Sequence, residues 1–309
     1  MNFSNLDFSV VVCCYNPNID QLKKTIISVI KQKNVSLEII ICDDGSKNNY
    51  FEILKEWVDS LNTEITFKYS FLEKNHGTIK NYLEGIKVSC GKYIKPISPG
   101  DYLYDENSLY VYKKKFEEDY DILFSDSIYY SDEKVNIKRQ YPISRLIFHK
   151  KNICIPYCLY NIFFLGATLC EKREIVLQIL LEVENKVLYL EDYSMMTIAL
   201  IEKKKIAGIE KPLVWYEYGS GISTNNSGRK RIEEDSYRVL NFLCLKYPNC
   251  RMVKKMRYRF DIRNRNFVYK SIIFTFKYPM FWIYKIISLI FRQKKYKTSY
   301  SNLVDITSL

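Results

Sequence analysis

The residues of this chain best suited to chemistry are carboxylates that follow apolar runs. The sharpest group is Ile41-Cys42-Asp43-Asp44-Gly45-Ser46, two acids at the end of a β-branched stretch with a turn residue behind them. Carboxylates so placed can accept hydrogen bonds from a nucleobase N–H or from ribose hydroxyls, and Gly45 permits the tight turn. A helix N-cap would use the same residues, and the stretch alone does not separate the two readings. Asp101 and the pair Glu191-Asp192 are further acids that ordinary helix capping would explain, and Lys80 fits a solvated helix face equally well.

The elements that must position these side chains follow from the hydrophobic pattern. Residues 8–14 (FSVVVCC) and 37–42 (LEIIIC) are apolar runs too short for helices, and between them Leu22, Ile26, Val29 and Ile30 recur at helical spacing, with Asn18 or Asp20 placed to cap. Residues 64–71 alternate as a strand does. Ile79, Leu83 and Ile86 form another helical stripe before 92–97 returns to strand. Four consecutive βα units imply a mostly parallel sheet covered by helices, with ligands at the carboxyl ends of the strands. Asn16, Asp43, Asp44 and residues 98–101 all fall at such ends. The middle, 121–217, is less regular and carries aromatic clusters such as 157–164, and no period of 20–50 residues recurs.

Composition narrows the class. The chain has 309 residues, 47% of them hydrophobic, which excludes disorder and allows one large core or two modest ones. Nine cysteines, at 13, 14, 42, 90, 154, 158, 170, 244 and 250, are odd in number and lack a C-x-x-C pair, so they read as buried hydrophobes of a reducing cytoplasm. Only His76 and His149 are available as imidazole ligands, neither at zinc spacing. The first seven residues lack the basic and apolar regions of a signal peptide. The formal charge of +12 is concentrated: residues 251–297 hold 14 Lys/Arg and one acid, Asp261, and the rest is near neutrality. With Phe, Trp, Tyr and Ile interleaved, that segment suits an anionic surface rather than nucleic acid. Its most apolar part, 271–291, contains Lys277, Pro279 and Lys285 and reads as lying on a membrane rather than crossing it.

Three blocks together resemble the family 2 glycosyltransferases of GT-A fold. The opening strand runs into Val12-Cys13-Cys14-Tyr15-Asn16-Pro17, the second ends in Asp43-Asp44-Gly45-Ser46, and a third block is matched at Asn75, Gly77, Lys80, Asn81, Gly85, Ile86, Gly91, Tyr93 and Ile94. The resemblance covers roughly residues 8–105 and implies a GT-A α/β fold, a Rossmann-like mixed sheet flanked by helices, with a basic C-terminal helical extension. It places Tyr15 against the nucleobase, Asp44 on the base edge with Asp43 in support, and Cys13, Asn16, Asn75, Gly77, Asn81 and Ser98 around the nucleotide-sugar. Lys80 stands where the family commonly has arginine and would neutralise a phosphate as a point charge. Glu191-Asp192 resembles the family's E-D pair, whose aspartate is the general base of inverting members. Residues 164–168 look like the small-residue segment where the acceptor approaches, and 215–224 like a loop that orders over the diphosphate.

One departure concerns the metal. The family usually ends its fourth strand in D-x-D, whereas this chain reads Ser98-Pro99-Gly100-Asp101, with glycine where the usual metal aspartate falls. Asp101 is then the metal residue implied for Mg²⁺ or Mn²⁺, one carboxylate sufficing when water and phosphate complete the shell. The expected function is an inverting hexosyltransferase that moves sugar from a UDP-sugar to a lipid-linked or oligosaccharide acceptor of a cell-surface polysaccharide. It would work from the cytoplasm, attached peripherally to the inner membrane face. The expected domains are 1–234, with a nucleotide half 1–105 and an acceptor half 106–234, and an extension 235–309. A weak sugar-nucleotide or glycan binder of the same fold is the alternative that the missing D-x-D suggests. A nucleotidyltransferase fits less well, because residues 13–18 contain no glycine.

Overall fold

The computed structural model describes residues 6–48, 50–131, 134–140, 165–219, 226–262 and 298–309, with single helical positions at 269, 272 and 276. In chain order the elements are β1 (Phe8–Cys14), α1 (Ile19–Ile30), β2 (Leu37–Asp43), α2 (Phe51–Asp59), β3 (Thr66–Phe71), α3 (Thr78–Val88), β4 (Tyr93–Ile97), β5 (Tyr102–Leu103), α4 (Ser108–Phe116), β6 (Ile122–Ser131) and β7 (Lys134–Gln140). A 3₁₀ turn (Gly166–Thr168) then leads to β8 (Leu169–Lys172), α5 (Arg173–Val183), α6 (Glu191–Ile201), β9 (Ile206–Glu217), α7 (Asn226–Lys246), α8 (Arg251–Ile262) and α9 (Tyr300–Thr307).

The strands form one mixed sheet in the order β3-β2-β1-β4-β8-β6-β9-β5, with β7 paired to β6. β1 pairs in parallel with β2 and β4, β2 with β3, and β6 with β9, while β8 lies antiparallel between β4 and β6. Consequently β1 to β4, β6 and β9 all run the same way and open on one edge. The strand period of two divides β1 and β2 between two cores. Val11, Ile40 and Cys42 pack with α3, α5, α6, α7 and α8, and Val10, Val12, Ile39 and Ile41 pack with α1, α2 and α4. Burial on both faces is why these strands read as continuous apolar runs. Asn18 is the cap of α1, its Oδ1 accepting from the amides of Asp20 (3.0 Å) and Gln21 (3.1 Å).

The sheet and the core run across both expected boundaries. A division at residue 105 falls inside a continuous sheet, since β4 pairs with β8 and β5 with β9. A division at 235 cuts through α7, whose Val239, Leu240 and Leu243 join the main core together with Val253 and Met256 of α8. An amphipathic helix must bury its apolar stripe, and here the helices that cover the sheet supply the surface. At the C-terminus, Leu303 and Ile306 of α9 pack against Tyr102, Ile128, Tyr130 and Trp215. The aromatic cluster 157–164 and the apolar segment 271–291 lie outside the described residues. Among the described residues no helix is long and apolar enough to cross a membrane, and the seven cysteines there are all free thiols.

Leu243→Ala tests whether α7 belongs to the catalytic core. Truncating a fully buried leucine typically costs about 2–5 kcal/mol, so urea unfolding followed by tryptophan fluorescence should shift as one transition by that amount. A shift confined to a separate minor transition would mean that α7 folds apart from the sheet.

Candidate active site

The acids after β2 are held inside the protein. Asp43 Oδ2 accepts from the Ser46 amide at 2.7 Å and its Oδ1 from the Ser46 hydroxyl and from Tyr50 Oη (2.9 Å), closing the turn that Gly45 makes at φ +70°. Asp44 is 4% exposed, with Oδ1 accepting from the His76 amide at 2.7 Å and Oδ2 from the Gly77 amide at 2.8 Å. Burial raises its pKa, and those two amides oppose the rise. Both oxygens fasten the β3–α3 loop. Gly77, at φ +94°, approaches so closely that a Cβ would stand 2.5 Å from Leu188 O. The segment before α6 thereby docks on α3, with Ile79 N donating to Leu188 O at 3.0 Å.

That segment presents the Glu191-Asp192 pair. Leu190 is the N-cap of α6 and makes no side-chain capping bond, so both acids lie in the first turn and neither is a cap. Asp235 answers the amides instead: buried at 0% exposure, it accepts from Leu188 N (2.9 Å), Tyr189 N (2.7 Å) and Leu190 N (3.0 Å). Thr78 Oγ1 donates to Glu191 Oε2 at 2.7 Å, and the Tyr193 amide donates to Asp192 Oδ1 at 2.6 Å. Burial pushes both acids upward, Glu191 further because of the Asp192 charge, while the amides of Tyr193 and Gly166 partly lower Asp192. A Cβ on Gly166 would lie 3.9 Å from Asp192 Oδ2, so the small-residue turn lies directly beside the pair. Lys95, 0% exposed, fastens that turn by donating to Leu169 O (3.1 Å), Pro96 O (2.9 Å) and Ala167 O, and burial lowers its pKa to about 8.

After β4, Ser98-Pro99-Gly100-Asp101 forms a turn closed by Asp101 N donating to Ser98 O at 2.9 Å. Proline second and glycine third at φ +95° are the residues a type II turn requires. The strand β5 follows, so Asp101 caps no helix. Asp101 is 8% exposed, its Oδ1 accepts from the Glu217 amide at 3.2 Å, and burial raises its pKa to about 7 against the opposing pull of Lys95. The Tyr216 phenol is raised first by burial and next by the charges of Asp101, Asp192 and Glu217.

The remaining expected residues divide. Tyr15 is 49% exposed just beyond β1, a ring face open to stacking. Asn16 joins the loops after β1 and β2, with its amide donating to Ser46 Oγ at 2.6 Å and its Oδ1 accepting from Lys47 N at 2.8 Å. Asn75 and Ser98 are exposed on the same edge, and Cys13 is half-buried behind it. Asn81 is 3% exposed and donates to Cys14 O at 3.3 Å, a brace between α3 and β1 rather than a ligand group. The Lys80 ammonium pairs with Glu84 at 2.8 Å and with Glu184. Of the expected covering loop, Trp215 is 0% exposed and Trp215 to Glu217 belong to β9, while residues 220–225 lie outside the described residues. Among the described residues no group of three or more His, Cys, Asp or Glu could hold a metal. A cation here would need oxygens from the substrate.

Residues 9–170, just over half of the chain, match the model of glycosyl transferase family 2. The chain belongs to that family. This family 2 member is 26% identical over 125 residues to an uncharacterised glycosyltransferase, MG060, of Mycoplasma genitalium, covering 39% of this chain and 41% of the relative. It is 30% identical over 103 residues to the poly-beta-1,6-N-acetyl-D-glucosamine synthase of Staphylococcus epidermidis, covering 33% of this chain and 24% of that protein. The chain thus spans well under half the length of these curated relatives. Among solved structures it is similar to S. aureus TarS 1-349 in complex with UDP-GlcNAc, with TM-score 0.59 and 18% identity over 85% of this chain and 73% of that one. At that identity the likeness establishes the GT-A fold.

Sequence reasoning missed Asp235, Lys95 and Glu217. Lys95 left a signal, a lysine interrupting the apolar strand Tyr93-Ile94-Lys95-Pro96-Ile97; Asp235 left none among the charges of its helix. Asp235→Ala should orphan three amides, each costing about 1–3 kcal/mol when buried without a partner. Thermal unfolding is expected to drop markedly, and hydrogen exchange should rise at 188–192. Unchanged protection there would exclude Asp235 as the anchor of the Glu191-Asp192 pair.

Proposed function

We propose that this protein transfers a hexose from a UDP-sugar to a lipid-linked or oligosaccharide acceptor during synthesis of a cell-surface polysaccharide, with inversion at the anomeric carbon. The observation that carries the reading is the placement of Glu191 and Asp192 in the first turn of α6 beside the Gly166 turn, with the Asp101 carboxylate held against the end of β9. Support also comes from TarS, whose structure holds UDP-GlcNAc, and from the S. epidermidis relative, a polysaccharide synthase.

In this reading the exposed face of Tyr15 receives the base and the loops after β1 and β2 border the ribose. Asp192, whose Oδ2 faces the Gly166 turn, removes the proton of an acceptor hydroxyl as that oxygen attacks C1 from the side opposite UDP. General-base assistance of this kind is worth about 10²–10⁴ in rate. Glu191, raised by burial and by its neighbour and bonded to Thr78, orients the pair. Asp101 fits a divalent cation, because its carboxylate is buried at the strand edge with a single amide donor on one oxygen. Bound there with diphosphate oxygens completing its shell, Mg²⁺ or Mn²⁺ would stabilise the departing charge.

Asp192→Asn should retain donor affinity and lose at least about a hundredfold in turnover. The acid limb of kcat/KM in the unmodified enzyme should lie above the ordinary aspartate value of about 3.9, because burial raises Asp192 and the base works only when ionised. Near-normal turnover in the variant would remove Asp192 from the mechanism.

Membrane attachment through the basic segment belongs to the same proposal. Each Lys/Arg near an anionic surface contributes about 1 kcal/mol. Because α8 is part of the core, the test keeps the full chain and replaces Arg292, Lys294, Lys295 and Lys297 with Glu. Flotation with anionic vesicles should fall sharply in the variant and at high salt. Equal flotation of both proteins, or of neither, would contradict attachment by this segment.

A further inference from the structure

The turn after β4 lacks the family's aspartate at position 100, and the structure contains a replacement. We infer that Glu217, at the end of β9, supplies the missing carboxylate, so that Asp101 and Glu217 together form the seat of the divalent cation on the donor diphosphate. This inference rests on the donor reading above and adds a ligand to it.

The first observation is steric. A Cβ on Gly100 would stand 2.5 Å from Glu217 Oε2 and 3.3 Å from its Cδ, so the Glu217 carboxylate occupies the space a side chain at 100 would enter. With Gly100 at φ +95°, an aspartate there would be both strained and in collision. Restoring the family pattern by Gly100→Asp is therefore not the benign change that alignment with D-x-D implies. Glycine at 100 and glutamate at 217 are one arrangement.

The second observation is the state of the oxygens. Gln21 Nε2 donates to Glu217 Oε1 at 2.5 Å and holds the carboxylate in place. Glu217 Oε2 is buried with no hydrogen-bond partner among the described residues. Beside it, Asp101 is 8% exposed, with Oδ1 receiving the Glu217 amide and no hydrogen bond to Oδ2 among the described residues. An unpaired buried carboxylate oxygen such as Glu217 Oε2 is costly unless a cation meets it. The Lys95 ammonium, whose charge acts on Asp101, is committed to three carbonyl oxygens. Tyr130 Oη donates to Gly100 O and Thr25 Oγ1 to Asp101 O at 3.0 Å, so the turn itself is fixed.

The third consideration is coordination number. Mg²⁺ commonly takes one or two carboxylates and fills its octahedron with water and substrate phosphate. Two acids without a third ligand residue match that pattern and imply weak cation binding until a diphosphate arrives.

The test follows free Mn²⁺ by electron paramagnetic resonance in the full-length protein, with and without UDP. The unmodified chain should take up little Mn²⁺ alone and one equivalent with UDP. Glu217→Gln, which keeps the acceptor for Gln21, should weaken the UDP-dependent uptake at least about tenfold while far-UV circular dichroism and calorimetric UDP binding without metal persist. Wild-type Mn²⁺ uptake by Glu217→Gln alongside loss in Asp101→Asn would overturn the role of Glu217 and leave the donor reading intact. UDP binding without Mn²⁺ uptake in the unmodified chain would overturn the cation seat. Failure of UDP to bind at all would instead defeat the donor reading itself.

Discussion

A carboxylate removed from water must be met by hydrogen-bond donors or by a cation, and this fold is arranged around that requirement. Asp43 is met by Ser46 and Tyr50, Asp44 by the amides of residues 76 and 77, and Asp235 by those of 188–190. These three acids act as fasteners. They hold the loop after β2, the loop before α3 and the segment before α6 in mutual contact, and so set where Glu191 and Asp192 stand. Glu217 keeps one buried oxygen without a hydrogen bond among the described residues, and the Asp101 carboxylate beside it receives the Glu217 amide.

This division separates scaffold from chemistry among residues that look alike in sequence. Asp43-Asp44 and Glu191-Asp192 are both acidic pairs after apolar residues. The first has its oxygens turned inward onto backbone amides, where moving a proton would break the loop it holds. The second sits in the first turn of a helix, with Asp192 Oδ2 beside Gly166 of a tethered 3₁₀ turn. The burial that raises Asp192 also brings a base closer to neutral working pH.

Much of this was legible before the structure. The β-branched runs and helical stripes located β1 to β4 and α1 to α3, because strands buried on both faces and amphipathic helices leave strong local periodicities. The E-D pair was legible by resemblance. What was not legible is what distant partners set: the pairing of Lys80 with Glu184, more than a hundred residues away, and the loop at 76–77 that Asp44 fastens. Glu217 reads as part of a covering loop, since only the pairing of β9 with β5 and β6 brings it beside Gly100. The charge of the C-terminal segment marks a surface and does not reveal the apolar face that α7 and α8 turn to the core.

The central claim is that the open strand edge is a seat for a nucleotide-sugar with its cation. It is tested most directly by thermal unfolding of the unmodified protein with UDP-, GDP-, CMP- and dTDP-sugars, each with and without Mn²⁺, since a ligand of the native state raises Tm by mass action. A concentration-dependent rise selective for UDP-sugars and larger with Mn²⁺ is the expected result. No rise with any nucleotide-sugar, or one indifferent to the base and to the cation, would contradict it.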